Sequence, residues 1–372
     1  ISAGTQVFTS TGRGGSAGAI DLQANQGAIT LSGTLSNTAG YNRVNTARHG
    51  AGAAVNLSAA HINTQAINTS ANTTHITASE DVRLGAFNSN TNCSGLCDGD
   101  LTIRTASPDT SLQVSQSAAW TVKGNTQLAL GLAGQADLPQ VNNQFNARNS
   151  GKTIAITAEQ VRINSRSNLR LADTHLNELR LTTLGNLTQA AGTRIEVSGE
   201  SSLSAEAIEL TEANNDFGHF AQLSAQTSIA LSDSNSLSIG DLTSRALTLN
   251  TQGEAAFNGT LTLNAATSLT QQGPGGIRLD DGFARQGTGA LMLRATASGT
   301  PLTYAGPGDS DWRLSAPLEG QLSVDGISLG QFVGFDTLVA LGAGTHQLTG
   351  TDQDNQWRIG GNPSGSSLAM RR

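Results

Sequence analysis

The stretch KTIAITAEQVRINSRSNLRLADTHLNELRLTTLGNLTQ, residues 152–189, decides the fold. Its aliphatic residues come in pairs separated by one residue, as in Ile154 and Ile156 or Leu179 and Leu181. In a β-strand this spacing places both side chains on one face. The pairs recur every seven to ten residues, and Asn, Ser, Asp, Gly and Thr, which tolerate turns, fill the intervals. The stretch therefore predicts very short strands joined by tight turns.

The same cadence extends along the chain, from Ile29 and Leu31 to Leu261 and Leu263, and helical spacing is almost absent. Both an antiparallel sandwich and a parallel β-solenoid fit such short strands. Three intervals make a coil of about 21 to 25 residues, within the usual range of solenoid repeats. A narrow lumen filled by aliphatic side chains also explains an aromatic content of only 4%. We therefore predict an all-β fold, a parallel β-helix with about three short strands per coil.

The composition restricts the class of partner. Only 13% of the 372 residues are charged, the net charge is −7, and the lysines are Lys123 and Lys152 alone. Such a chain lacks the cations that a run of phosphates requires, so we predict no nucleic-acid partner. The sequence contains no apolar run of about 18 residues and so predicts no transmembrane segment. Because it begins with Ile and ends with Arg371 and Arg372, we expect it to be a piece of a larger precursor.

The two cysteines, Cys93 and Cys97, lie close together in NCSGLCDGD, residues 92–100. A zinc site usually has four ligands, and no second Cys or His pair follows nearby. A disulfide that closes a small Gly-containing loop fits an exported protein, and two unpaired thiols are the alternative. We predict the disulfide and no metal site.

Four stretches interrupt the cadence, and we predict loop excursions near residues 36–52, 88–100, 132–151 and 271–287. Loops on a rigid scaffold often carry binding residues, and aromatic and Arg side chains are common anchors. The candidate surface-binding residues are Tyr41, Arg43, Arg48, Phe145, Arg148, Phe283 and Arg285. The alternative is that these loops pack onto the solenoid.

The pattern changes where prolines and tryptophans cluster, from about Pro301 onward. We predict a β-helix body over residues 1–300 and a continuation or distorted end of the solenoid over residues 301–372.

The stretch ELTEANNDFG, residues 209–218, places Phe217 beside residues typical of a corner. We predict that the strand ends at Leu210 and that Asn214, Asn215 and Asp216 build the corner. Phe217 then covers the corner or stacks under the neighbouring coil. An ordinary turn with an exposed Phe is the alternative.

Residues 181–242, which include LTTLGNLTQAAGTRIEVSGE and IELTEANNDFGHF, resemble repeats of filamentous-haemagglutinin-like bacterial exoproteins. The stretches GFDTLVALGAGTHQLTGTDQDNQWRIGG, residues 334–361, and AIDLQANQGAITLSGTLS, residues 19–36, are similar to other repeats of such surface proteins. The resemblance covers most of the chain and is specific for an architecture rather than for one protein.

This resemblance implies a right-handed parallel β-helix that a dedicated β-barrel partner exports across the bacterial outer membrane. It further implies a secreted, cell-surface location and a role as an adhesin or a stalk, with an unidentified host-surface receptor or glycan as partner. The secretion domains of such proteins carry NPNL-like and NPNG-like motifs, whereas the Asn-Pro pair here is Asn362-Pro363. We therefore expect an internal or distal segment of the body.

A carbohydrate-active β-helix, such as a polysaccharide lyase, a hydrolase or a phage tailspike, needs clustered carboxylates. The acidic pairs are far apart and lie in turn-like stretches: Asp98 and Asp100, Asp280 and Asp281, Asp309 and Asp311, Asp352 and Asp354. None of the six histidines forms a close ligand pair in the sequence. We predict a non-enzymatic structural and adhesive rod without catalytic residues or cofactor, and keep the carbohydrate-active β-helix as the alternative.

Overall fold

A computed structural model describes most of the chain. It covers residues 2–3, 7–10, 17–38, 53–70, 73–89, 99–107, 109–145, 151–306, 310–316, 319–335, 337–340, 346–349 and 368–371. Regular structure in these residues consists of β-strands, with no helix. Contacts divide the chain into two compact units, Ile1–Gly199 and Glu200–Arg372.

The strands of the first unit include three of 15 to 19 residues, and the strands after these three are shorter. They are β1 (Ser2–Ala3), β2 (Val7–Ser10), β3 (Ile20–Thr38), β4 (Val55–Thr69), β5 (Thr74–Asn88), β6 (Leu101–Thr105), β7 (Gln113–Gln116), β8 (Trp120–Val122), β9 (Thr126–Ala129), β10 (Gln135–Leu138), β11 (Gln144–Phe145), β12 (Ile154–Thr157), β13 (Gln160–Ser165), β14 (Leu169–Leu176), β15 (Glu178–Thr183) and β16 (Leu187–Gln189), and β17 (Ile195–Ala205) contains the boundary between the units.

The second unit continues with strands of similar length. They are β18 (Ile208–Leu210), β19 (Asp216–Ala225), β20 (Ser228–Asp233), β21 (Leu237–Thr243), β22 (Ala246–Thr251), β23 (Ala255–Phe257), β24 (Thr260–Thr262), β25 (Thr267–Gln271), β26 (Ile277–Leu279), β27 (Ala284–Gln286), β28 (Leu291–Ala295), β29 (Pro301–Tyr304), β30 (Ser310–Ala316), β31 (Glu319–Val324), β32 (Ile327–Val333), β33 (Thr337–Ala340), β34 (His346–Thr349) and β35 (Leu368–Arg371).

Parallel pairing stacks the strands of the first unit into three columns. One column runs from β4 through β5, β6 and β9 to β12, and a second runs from β5 through β7, β10 and β13 to β15. The third contains the end of β5 with β8 and β11. One turn through the three columns is one rung of the solenoid.

The second unit repeats this arrangement. Its first column runs β18, β20, β22, β25, β28 and β32, and its second runs β21, β23, β26, β29 and β33. The third column contains parts of β19 and β21 with β24 and β27. The predicted parallel β-solenoid with about three strands per coil is therefore confirmed.

The tightest rungs are shorter than the predicted coil of about 21 to 25 residues. Gln160 and Glu178 lie opposite each other in adjacent rungs and are 18 residues apart, and His61 and Asp81 are 20 apart. In the rung from Gln160 to Glu178 the corners are short, with three residues between β13 and β14 and one between β14 and β15. A strand such as β14 even passes from one column to the next without a break.

The lumen is lined by aliphatic side chains from all three columns. In the second column of the first unit, Ile62, Val82 and Val114 stack in register, and each is at most 3% exposed. Burying each such side chain contributes about 1.5–3 kcal/mol. Most aromatic rings whose burial the structure describes are also buried, including Trp120, whose indole Nε1 donates to the Gly85 carbonyl oxygen at 3.0 Å.

Side-chain oxygens at the corners accept backbone N–H groups from the next rung. Asp100 Oδ1 accepts from Asn125 N at 2.7 Å, and Asn125 Oδ1 accepts in turn from Thr153 N at 3.1 Å. Asp241 Oδ1 accepts from Thr260 N at 2.9 Å in the second unit. Asn and Asp suit this role because their short side chains reach backbone donors that a turn leaves unpaired.

The corner in residues 209–218 encloses Phe217, which is fully buried. Its backbone N donates to Asp233 Oδ2 in the next rung at 2.7 Å, and its ring lies 5.0 Å from that of Phe220. Buried Asn215 donates through Nδ2 to the Leu210 carbonyl at 3.3 Å. The prediction that Phe217 covers the corner agrees with this burial, and the exposed alternative does not.

Two predicted excursions contain strands of the solenoid. Within residues 132–151, β10 pairs with β7 and β13, and β11 pairs with β8. Within residues 271–287, β26 and β27 pair with β23 and β24. The chain stays in the rungs because glycines allow very tight corners: Gly131 has a φ of +82°, and Gly134 N donates to its carbonyl.

The other predicted excursions fall mainly outside the described residues, at 39–52 and 90–98. Parallel pairing continues past the predicted boundary at residue 301, between β29 and β33, β30 and β34, and β34 and β35. Antiparallel pairing is added there by β30, β31 and β32. The division at residue 301 stays a prediction.

Candidate functional site

The third column of the second unit changes character at β27. Leu223, Leu242 and Leu261 occupy one register position in successive rungs, and Arg285 takes this position in β27. Within the described residues, β27 pairs with β24 and no other strand. The column of leucines thus ends with Arg285, on a strand whose other edge is unpaired among the described residues.

Arg285 binds the backbone that lies next to this edge. Its Nη1 donates to the Ser328 carbonyl oxygen at 3.0 Å, and its Nη2 donates to the Gly289 carbonyl oxygen. Its Nε is buried and has no hydrogen-bond partner among the described residues. Because Ser328 lies in β32, the contact fastens β32 to the corner that follows β27.

β32 is part of an antiparallel meander, β30–β31–β32, which we call the meander. Its second turn is formed by Asp325 and Gly326, with φ of +50° and +78°. Positive φ at both positions is the signature of a type I′ hairpin turn, for which Asp-Gly is a preferred sequence. The turn thus sets the direction in which β32 returns to pair in parallel with β28.

A groove of about 590 Å³ opens where the meander meets the corner between β27 and β28. We call it the corner groove. Its polar lining combines guanidinium, hydroxyl and amide groups: Arg245, Arg285, Thr267, Ser268, Thr288, Gln321, Ser328 and Gln331. Ala266, Ala290, Leu291 and Met292 add apolar groups to this lining.

A second groove of about 380 Å³, the meander groove, lies beside it. Met292, Gln321 and Gln331 line both grooves, so the two are adjacent. The meander groove adds the following charged residues: Arg294, Arg313 and Glu319. Among the described residues that line either groove, Glu319 is the one carboxylate, against four arginines.

Two of these arginines differ from Arg285 in having no polar side-chain partner among the described residues. Arg245 and Arg294 are exposed, and neither side chain makes a hydrogen bond or ion pair with any described residue. Arg278, in contrast, pairs with Glu254 and Asp280. The grooves therefore present cationic groups that are available for an anion.

Among the candidate residues taken from the sequence, Arg285 lies in the corner groove. Phe283 is partly exposed in the turn before β27, where its N donates to the Asp280 carbonyl oxygen at 2.9 Å. The prediction of Phe145 as a surface contact is corrected by its complete burial in β11. The remaining candidates lie outside the described residues: Tyr41, Arg43, Arg48, Arg148 and the predicted disulfide pair Cys93 and Cys97.

The sequence reasoning missed Arg245, Arg294 and Arg313. Arg294 follows buried Leu293 and precedes buried Ala295, so strict alternation places it on the outer face of its strand. The outward position of Arg294 could therefore be predicted from the sequence. The approach of the meander to this face could not be predicted, because it depends on pairing between strands that are distant in sequence.

An exposed acidic cluster in the first unit surrounds His61. Its Nδ1 contacts Asp81, and its Nε2 lies 3.2 Å from Glu80 Oε2. The hydrogen bond to Asp81 and the charges of Asp81 and Glu80 raise the pKa of His61, against a smaller opposing effect of burial. Within the described ranges, no three His, Cys, Asp or Glu side chains are grouped so that they could hold a metal ion.

The described part of the chain contains no helix with the length and apolarity that crossing a membrane requires.

Two segments, residues 92–150 and 158–224, match a family described as repeats of unknown function (DUF5649). Neither curated proteins nor solved structures gave a match. The family match agrees with the repetitive rungs and assigns no activity to them.

Proposed function

We propose that the chain is a non-enzymatic structural and adhesive segment of a large secreted bacterial surface protein of the filamentous-haemagglutinin-like class. In this proposal the solenoid is a stiff support, and surface features that depart from its regular rungs make the contacts with host cells or other surfaces. Mechanical support and presentation are functions that repetitive folds perform without a catalytic centre.

The observation that carries the proposal is the continuous parallel pairing of strands around a buried lumen in each unit. Each rung is bonded to its neighbours through the backbone, so the fold extends by repetition rather than around one thick core. The outward side chains between corners include polar ones, such as Thr248 and Thr270 in paired strands of the second unit. Such faces suit a support, whereas the grooves at the meander offer the polar and cationic groups of a contact site.

Export and location follow from the same proposal. The resemblance of residues 181–242 to exoprotein repeats supports a secreted or cell-surface location, with an outer-membrane β-barrel transporter as partner of the full-length precursor. The receptor on the opposite surface is a host protein or a glycan.

The carbohydrate-active alternative requires several carboxylates that converge in one cleft with a stacked aromatic ring. The two grooves bring together four arginines and, among their described lining residues, Glu319. No specific observation therefore favours the alternative over the adhesive function.

The proposal is tested with the complete chain attached to fluorescent beads. We expect the beads to adhere to epithelial cells or to glycan-coated surfaces, and beads with the heat-denatured chain to adhere far less. In parallel, the soluble chain is incubated with a panel of polysaccharides, and new reducing ends and unsaturated products are measured. Absence of adhesion to every surface, or release of such products, would contradict the proposed function.

A further inference from the structure

We propose that the corner groove and the meander groove together bind an acidic oligosaccharide, with Arg245 and Arg294 as the residues that contact its anionic groups. This inference rests on the proposed function, because it names the ligand class of one adhesive surface.

The first argument is the charge balance of the grooves. The chain as a whole has a net charge of −7, yet among the described residues four arginines and one carboxylate line these grooves. Guanidinium groups pair with carboxylate and sulfate oxygens through two parallel hydrogen bonds. Arg245 and Arg294 have no partner among the described residues, so their donors are available for such pairing.

The second argument is the rigidity of the groove wall. Arg285 donates to the carbonyl oxygens of Ser328 and Gly289, which holds β32 against the corner after β27. Its Nε is buried and has no partner among the described residues. A preformed wall lowers the entropic cost of binding.

The third argument is the chemistry between the arginines. Ser268, Thr288, Gln321 and Gln331 offer hydroxyl and amide groups along the same grooves. These groups donate and accept hydrogen bonds, as recognition of sugar hydroxyl groups requires. A volume of about 590 Å³ in the corner groove lies within the usual range for small ligands, roughly 300–1,000 Å³.

A nucleic acid fits this surface less well. Its recognition depends on many phosphate contacts along a broad basic surface, and the chain is acidic overall. A short acidic glycan needs only a few anionic contacts together with polar groups for its hydroxyls.

The test is isothermal titration calorimetry on the complete chain with four probes of similar length. These are an oligogalacturonate, a heparin-derived oligosaccharide, a neutral galactose oligomer and a single-stranded DNA. We expect saturable binding of at least one acidic oligosaccharide, weakened by added NaCl, and no binding of the neutral oligomer. Binding of the oligogalacturonate shows that carboxylates suffice, and binding of the heparin probe alone shows that sulfate groups are required. Equal or tighter binding of the DNA, or no binding of either acidic oligosaccharide, overturns the inference.

The site is tested with the double variant Arg245→Gln and Arg294→Gln. We expect its affinity for the acidic oligosaccharide to fall at least about tenfold, since each lost charge-assisted hydrogen bond weakens binding strongly. The matched control is the double variant Arg162→Gln and Arg166→Gln, which removes the same charge from exposed positions of the first unit and should bind nearly as the unmodified chain does. Circular dichroism establishes that both variants are folded.

Equal loss of affinity in both double variants would show a general charge effect and overturn the assignment of the grooves. Unchanged affinity in the groove variant overturns it as well. If the chain binds none of the acidic probes while its beads still adhere to cells, the inference fails and the proposed function stands.

Discussion

At the scale of single residues, buried amides hold the corners of the solenoid together. Asn143 is fully buried and accepts hydrogen bonds from Trp120 N at 2.8 Å and from Gln116 Nε2 at 2.9 Å. Its Nδ2 donates to Gln116 Oε1 at 2.8 Å and to the Asn164 carbonyl oxygen at 3.0 Å. One side chain thus satisfies groups from three rungs.

Replacing this residue tests its role. We expect Asn143→Ala to lower the free energy of unfolding by about 2–4 kcal/mol, because it leaves several buried polar groups without partners. Urea denaturation of the two variants followed by circular dichroism provides the measurement. Asn168→Ala is the control, since exposed Asn168 accepts one bond, from Asn186 N, and should cost less than about 1 kcal/mol. Similar effects of both changes would contradict the assignment.

A buried carboxylate makes stability depend on pH. Burial raises the pKa of Asp233, against the hydrogen bonds from the N–H groups of Phe217 and Asn235, while the charge of Asp216 raises it further. The folded state therefore holds the proton more tightly than the unfolded state. The stability that Asp233 contributes is present in full below its unfolded pKa, about 3.9, and declines as the pH rises through its folded pKa.

The variant Asp233→Asn does not titrate and isolates this contribution. We expect the melting temperature of the unmodified chain minus that of the variant to be higher at pH 3 than at pH 7. Differential scanning fluorimetry at both values measures the difference. If this difference in melting temperature stays constant, or rises towards pH 7, the pKa of Asp233 is not raised in the folded state.

Burial could be predicted from the sequence where apolar and polar residues alternate. It could not be predicted for a single apolar residue among polar ones. The pairs Ile154 and Ile156 and Leu179 and Leu181 face the lumen as their spacing indicates. Phe145 stands alone among polar residues, so no periodicity reveals that its strand spans only two residues, Gln144–Phe145. Its neighbours in sequence predict a loop, and its partners in β8 decide the outcome.

At the scale of elements, glycines allow long strands to turn corners without interruption. Gly85 lies inside β5, between Leu84 and Phe87, whose side chains fill two different columns. A Cβ atom at Gly85 would lie 1.8 Å from the Gln65 carbonyl oxygen of the preceding rung. The rungs therefore approach each other here more closely than any other residue permits.

This close approach predicts a position-specific cost. We expect Gly85→Ala to lower the free energy of unfolding by about 1–3 kcal/mol, because the added methyl group forces two rungs apart. Gly27→Ala in β3 is the control, since its Cβ would meet no atom within 4 Å and its effect should stay within about 0.5 kcal/mol. Urea denaturation compares the two variants, and equal stability would contradict the steric account.

The hairpin of the meander could be predicted from the sequence, but the groove beside it could not. Asp325-Gly326 between Val324 and Ile327 is a strong sequence signal for a hairpin, and it could have been used to predict β31 and β32. The groove that results could not, because it needs the parallel pairing of β32 with β28 and the contact of Arg285 with Ser328. Both join segments that are far apart in sequence.

At the scale of the whole molecule, the fold class followed from periodicity alone, because every rung repeats one pattern of side chains. Binding residues do not repeat, so the periodicity that predicts the solenoid carries no information about them. Arg285 was named through its unusual surroundings in sequence, whereas Arg245 and Arg294 are ordinary outward residues until the meander is in place.

Repetition also predicts that a complete rung can be removed. Leu231 and Leu249 occupy equivalent positions in adjacent rungs, so deletion of residues 231–248 joins Ala230 to Leu249 in register. We expect this variant to remain soluble and rich in β-structure, with a somewhat lower melting temperature. Circular dichroism and thermal unfolding provide the measurement.

The control deletes residues 231–247, one residue fewer. It places Thr248 at the lumen position of Leu231 and turns Leu249 outward, because a shift of one residue exchanges the two faces of a strand. We expect this variant to aggregate. Equal behaviour of the two deletions would show that register does not determine the stability of the stack.

The short rung has a mechanical consequence. Backbone bonds tie each rung to the next along the stack, while the chain itself passes through the rungs in succession. A pulling force on one unit should therefore peel away a terminal rung first and leave the others bonded. A rung of 18 residues releases up to about 60 Å of chain, so the unit would lengthen in steps and absorb sudden loads as it does so.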